Sequence, residues 1–242
     1  MIEVVLYSGL SLIVFLFAYF IQHKYRLAIL NPLLLTITIL ISLFAVFNIS
    51  YQDYMQGAEY LNYLLEPAVV LLGYPLYKQI HLLKTQWQKI SLICLFASLC
   101  ALTVSTILAK LLGLETWLIA SMVSMNITTA VAMSTSVELG GISSITAVMV
   151  LVGGLSGSIF GVMWLGFVGL IKIPNKDNLL TTPDNQQKVL GMAIGCASHA
   201  LGTATIAKSF PVAAAYSSTA LILCAIFTAL IAPIYVPFLL TL

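Results

Sequence analysis

The chain has 242 residues, of which 61% are hydrophobic and only 7% charged, with a net charge of +2. A soluble domain carries roughly 25% charged residues, so this sequence lacks the polar surface to coat a water-soluble globule, and its mean hydropathy of +1.07 agrees. Without any basic run, nucleic acid is not an expected partner; the expected environment is the lipid bilayer. The fold class expected is all-α, a single integral membrane domain over residues 1–242.

A spanning helix needs about 20 mostly apolar residues. Six stretches qualify: 4–21, 28–48, 61–77, 91–109, 144–171 and 212–240. The first is preceded by Glu3 and followed by Lys24 and Arg26, with no small-residue cleavage site. It therefore reads as a membrane helix with its N-terminus outside, not as a cleavable signal. Asn31-Pro32 opens the second. Pro67 and Pro75 interrupt the third, which also carries Glu66, an acid that needs a partner or a proton at membrane depth. Pro233 and Pro237 interrupt the last. Proline inside a helix frees a carbonyl that neighbouring helices or water must satisfy.

Lysine placement fixes the count of crossings. Lys24 and Arg26 lie in one connection, and Lys78, Lys84 and Lys89 in another, whereas 49–60 holds Asp53 and Glu59 and no basic residue. The basic connections belong in the cytoplasm. If 116–137 and 144–171 each crossed once, the connection 172–188 would face outside despite Lys172, Lys176 and Lys188. One crossing fewer removes the conflict. Two apolar stretches rich in Gly, Ser and Thr, 116–137 and 189–207, can supply it by dipping in and returning, the first from outside and the second from inside. The expected architecture is thus about six spanning helices plus two broken or re-entrant segments. Opposed entry is compatible with an inverted repeat, although the residues themselves show none. Half-helix N-termini meeting at midplane offer N–H groups to an anion.

The first break centres on Asn126, Thr128 and Thr129 and ends at Glu138, whose solvated position is the ordinary case for an acid there. The second centres on Ser198, His199, Gly202 and Thr203. Hydroxyls in a membrane helix often bond back to the preceding turn. His199, however, is the histidine placed inside an apolar segment, where ionisable residues mark function; the alternative is a neutral ring that holds two helices in register. The two groups are expected to line one cavity for a small organic anion. Gly153, Gly157 and Gly161 form one small-residue face and Gly191 and Gly195 another, a pattern for close helix packing. Cys94, Cys100, Cys196 and Cys224 lack CxxC spacing, so no disulfide framework, metal site or cofactor is expected, and they read as small buried hydrophobes. Gly154-Leu155-Ser156-Gly157 with His199 resembles the motifs of rhomboid intramembrane serine proteases. The upstream histidine and Asn of that site and the early Trp-Arg pair are absent, so the chain is not expected to be an enzyme.

Several stretches together resemble the LrgB/CidB family. They are Asn31-Pro32-Leu33-Leu34, the run Leu64-Leu65-Glu66-Pro67-Ala68-Val69-Val70, Tyr74-Pro75-Leu76-Tyr77-Lys78-Gln79, Gly140-Gly141-Ile142 and Ser198-His199-Ala200-Leu201-Gly202-Thr203-Ala204. The resemblance covers nearly the whole chain. It implies a multi-pass protein of a bacterial cell membrane, oligomeric, working with a small LrgA/CidA-like membrane protein. The family is described as holin- or antiholin-like regulators of murein hydrolases, and its plastid relatives exchange glycolate and glycerate. The leading expectation is therefore transport of a short-chain monocarboxylate such as pyruvate, glycolate or glycerate. The alternative is an antiholin-like regulator of murein hydrolase activity and membrane permeability. The family's Pro-Lys-Ser-Val-Thr-x-Pro type run is replaced here by residues 124–130, with Met125 where the Lys would stand, and Lys208 stands where an acid is common.

Overall fold

The computed structural model describes residues 2–25, 30, 32–64, 67, 77, 80–171, 183–207 and 209–241. Asn31, Glu66, Pro75, Lys172, Lys176 and Lys208 lie outside them. The described residues are helical with short connections, the arrangement a bilayer demands, because a helix satisfies its own backbone. The chain divides into two compact units, Met1–Val70 and Leu71–Leu242.

The first unit holds α1 (Ile2–Tyr25), α2 (Pro32–Phe47) and α3 (Tyr51–Tyr63). Pro32 is the first residue of α2, where its missing N–H removes no helical bond. Asn48, at φ 53°, turns the chain out of α2. Ser50 then caps α3: its Oγ accepts from the Asp53 N–H at 3.1 Å and donates to the Asp53 carboxylate at 2.6 Å. The connection 49–60 is therefore mostly helix. It packs on α1 through Ser8 Oγ, which donates to Gly57 O at 2.8 Å, and through the Ser11–Tyr54 hydroxyl pair at 2.9 Å. The opposite side of α1 leaves Leu12, Ile13, Phe17 and Phe20 more than half exposed, a surface suited to lipid. Of the expected span 61–77, only 61–64, 67 and 77 are described, and Pro67 is exposed.

The second unit is built from α4 (Ile80–Leu111), α5 (Thr116–Met122), α6 (Thr129–Glu138), α7 (Ser143–Phe167), α8 (Asp184–Ala207) and α9 (Pro211–Thr241). Helices α4 and α9 run parallel. Tyr216 donates to Gln86 at 3.4 Å at one end, Ser98 to Cys224 O at 3.5 Å midway, and Lys110 to Leu240 O at 3.1 Å at the other end. Pro233 and Pro237 do not interrupt α9, which stays one helix.

Helices α5 and α6 form a hairpin. The Ile142 N–H donates to Ser121 Oγ at 2.8 Å across 21 residues, a stretch that would cover about 30 Å as a continuous helix. A Cβ on Gly141 would sit 2.8 Å from the Ser121 backbone nitrogen and 2.9 Å from the Ala120 carbonyl carbon. The chain thus enters along α5, turns through 123–128 and returns along α6, so that Gly141 and Ile142 come level with Ala120 and Ser121 near the end of α5.

Helix α8 doubles back as well. His199, at φ 40° and ψ −137°, breaks it into limbs 184–198 and 200–207. A Cβ on Gly202 would lie 2.7 Å from Ile194 Cγ2, eight residues back and about 12 Å away in a straight helix. Leu190, Ile194 and Ile206 share one buried cluster with Ala213. Gly191 abuts Ala213, and Gly195 abuts Ser217 and Ala220, so the first limb runs parallel to α9 and the second returns to its start.

Among the described residues, five helices are long and apolar enough to cross a bilayer: Leu6–Tyr25, Gln86–Leu111, Ser143–Phe167, Asp184–Ala207 and Pro211–Thr241. Asp184–Ala207 meets that test by length and composition, but the reversal at His199 makes it re-entrant. Helix α2 is apolar and has 16 residues.

Candidate functional site

The two hairpin turns meet against the middle of α7. A Cβ on Gly153 would sit 3.2 Å from the Met125 carbonyl oxygen, and one on Gly154 would strike the His199 ring. One on Gly157 would overlap the Ser198 hydroxyl, and one on Gly161 would press on Ile194 Cδ1. The small-residue face of α7 therefore seats the first turn and the first limb of α8 side by side. Asn126 links the two hairpins directly: its Nδ2 donates to the Cys196 carbonyl at 3.3 Å.

The residues of the two breaks each have a definite place. His199 is buried, and its Nε2 lies 3.1 Å from Val150 O; a carbonyl only accepts, so this nitrogen carries a proton. Thr203 donates to His199 O and pairs with Ser217 Oγ, both at 2.7 Å. Ser198 and Gly202 are buried against each other, and Ser198 also against Gly157 of α7. Thr128 precedes α6 and Thr129 opens it, both half-buried. Thr128 Oγ1 has no hydrogen-bond partner among the described residues. Ser156 is exposed and bonds back to Val152 O at 2.7 Å, while His199 bonds to Val150, so the two do not pair.

The structure brings the two breaks together through the Asn126–Cys196 bond. A cavity of about 440 Å³ lies beside them, between the start of α4, the first limb of α8 and Tyr216 of α9. Its lining includes Gln86, Lys89, Lys188, Met192, Cys196 and Tyr216 and otherwise consists of aliphatic groups. Lys188 holds its ammonium 6.0 Å from the Tyr216 ring centroid, within the range of a cation–π contact. Lys89 is exposed and Lys188 half-buried. An open apolar slot with two lysines in its lining suits a small ligand that has one anionic end. Sequence reasoning used these lysines only to orient the chain. Tyr216 joins them because the reversal at His199 returns the chain to the start of the first limb, where α9 begins.

Sequence comparison gives an independent view. The profile of the LrgB-like family matches residues 11–238. An "uncharacterized protein" of Haemophilus influenzae is 36% identical over 94% of this chain and 93% of its own. The "antiholin-like protein LrgB" of Bacillus mycoides is 30% identical over 90% of this chain and 88% of its own. YxaC of Bacillus subtilis is 33% identical over 89% of this chain and 88% of its own. No solved structure matches the chain. The relatives' names bear on the antiholin-like expectation and do not speak to transport of a particular acid. The family profile runs from α1 through both hairpins to the last turns of α9, and the chain belongs to the LrgB-like family of multi-pass membrane proteins.

Proposed function

We propose that this protein moves a small organic acid, a short-chain monocarboxylate, across the membrane. The observation that carries the reading is the pair Lys89 and Lys188 in one apolar-walled cavity beside two re-entrant hairpins. By the positive-inside rule this end of the second unit faces the cytoplasm. A carboxylate would sit near the ammonium groups with its carbon end among Ile90, Ile93 and Met192. Helices broken at midplane provide the hinges that alternating access uses. On this reading the chain is not an enzyme and needs no cofactor; it works as an oligomer or with an LrgA/CidA-like partner in a bacterial cell membrane, N-terminus outside, as the family resemblance implies.

A thermal-shift screen of purified protein against C2–C4 carboxylates and their neutral amides tests this. Stabilisation by carboxylates alone is expected, because a ligand stabilises only the state it binds. Equal shifts with the amides would count against an anion site. A second reading, an antiholin-like regulator of membrane permeability and murein hydrolases, is favoured by the names of the Bacillus relatives. It predicts unsaturable leakage of small dyes through protein-containing vesicles.

A further inference from the structure

Three cysteines distant in sequence converge where the hairpin of α8 meets α4 and α9. The Sγ atoms of Cys94, Cys196 and Cys224 all lie within 4.8 Å of one another. Cys94 and Cys224 are buried and Cys196 is half-buried, lining the lysine-bearing cavity. Each comes from a different helix, so no spacing rule reveals the group. Cys100 is exposed and takes no part.

We propose that Cys94, Cys196 and Cys224 form a binding site for a soft monovalent metal ion of the Cu(I) class. Three thiolates about 2.3 Å from one ion lie about 4 Å apart in a trigonal plane. The observed group needs to close by less than 1 Å to reach that arrangement. Soft thiolate ligands select Cu(I) over harder ions, while zinc prefers a tetrahedral set of four. No fourth His, Cys, Asp or Glu joins the group among the described residues.

The cavity supplies the route, since it opens onto Cys196 and passes Lys89 and Lys188. Each thiol that becomes a ligand releases one proton. The loaded site is anionic, and the two ammonium groups lining the same cavity provide counter-charge. Binding would also tie the first limb of α8 to α4 and α9, so the loaded protein should resist heating better.

The test uses the full-length protein in detergent under reducing conditions, titrated with Cu(I) against a chromogenic chelator. One Cu(I) per chain is expected, with a rise in Tm and a sulfur-only shell of three ligands by X-ray absorption. Cys196→Ser should weaken binding at least about 100-fold, beyond the 10–100-fold that follows loss of a mere supporting hydrogen bond. Cys100→Ser should leave binding unchanged. Binding equally tight in Cys196→Ser, equally weakened by Cys100→Ser, or with fewer than three sulfurs in the wild-type protein would overturn the assignment. The absorption measurement on wild type decides the matter even if a variant fails to fold.

Discussion

The side-chain amide of Asn126 donates to the carbonyl oxygen of Cys196 at 3.3 Å, across 70 residues of sequence. This bond joins the turn of one re-entrant hairpin to the entering limb of the other. It places a polar donor at membrane depth on an acceptor in the half-helix that ends at His199.

Asn126→Leu keeps the side-chain size and removes the donor. The net worth of such a bond inside a membrane protein is about 0.5–2 kcal/mol. A lowered Tm is expected, by a few degrees, in detergent-purified protein. An unchanged Tm would mean that the hairpins are held together without it.

Topology follows from the Ile142–Ser121 bond. Glu115 and Glu138 flank the first hairpin and are both exposed, as is Asn185 at the start of α8. Glu115→Cys and Glu138→Cys should label with an impermeant thiol reagent from the same face of the membrane. Asn185→Cys should label from the opposite face. Labelling of Glu115→Cys and Glu138→Cys from opposite faces would show that 116–138 spans.

The backbone at His199 lies in a region that favours glycine, with a cost of order 1–3 kcal/mol for other residues. His199→Ala keeps that strain and loses the bond to Val150. His199→Gly loses the same bond and relieves the strain. The Gly variant is expected to be the more stable by about 1 kcal/mol, read as a higher Tm. Equal stability, or the reverse order, would argue against a chain reversal at this residue.

Gly157→Leu should be severely destabilising, because the new side chain would occupy the place of Ser198. Phe167→Leu is the control, since Phe167 is 83% exposed at the end of the same helix. Comparable yield and Tm for the two variants would place Gly157 against lipid.

The outline of the fold was legible because lysines and apolar runs report directly on the bilayer. Lys172, Lys176 and Lys188 demanded one crossing fewer than the apolar stretches allowed, and both hairpins fall where Gly, Ser and Thr interrupt the hydrophobic pattern. What stayed hidden depends on side-chain packing. Ser198 inserts against Gly157 and His199 against Gly154 and Val150, contacts that tie the second break to α7 and that no sequence pattern announces. Helix α3 depends on a local cap at Ser50 within a stretch whose charges marked only a connection. The cysteine group spans α4, α8 and α9, and its members are 28 to 130 residues apart (224 − 196 and 224 − 94), beyond any local motif. Pro233 and Pro237 are carried within α9, as neighbouring helices allow in membranes.

On the proposed function, Lys89 and Lys188 serve passage of a small organic anion. Uptake of radiolabelled C3 monocarboxylate into proteoliposomes tests it most directly, comparing wild type with Lys89→Gln and Lys188→Gln. Saturable uptake by wild type is expected, with at least a tenfold loss in Lys188→Gln, equivalent to about 1.4 kcal/mol, and Tm unchanged. Unsaturable flux accompanied by dye leakage, or wild-type rates in both lysine variants, would contradict it.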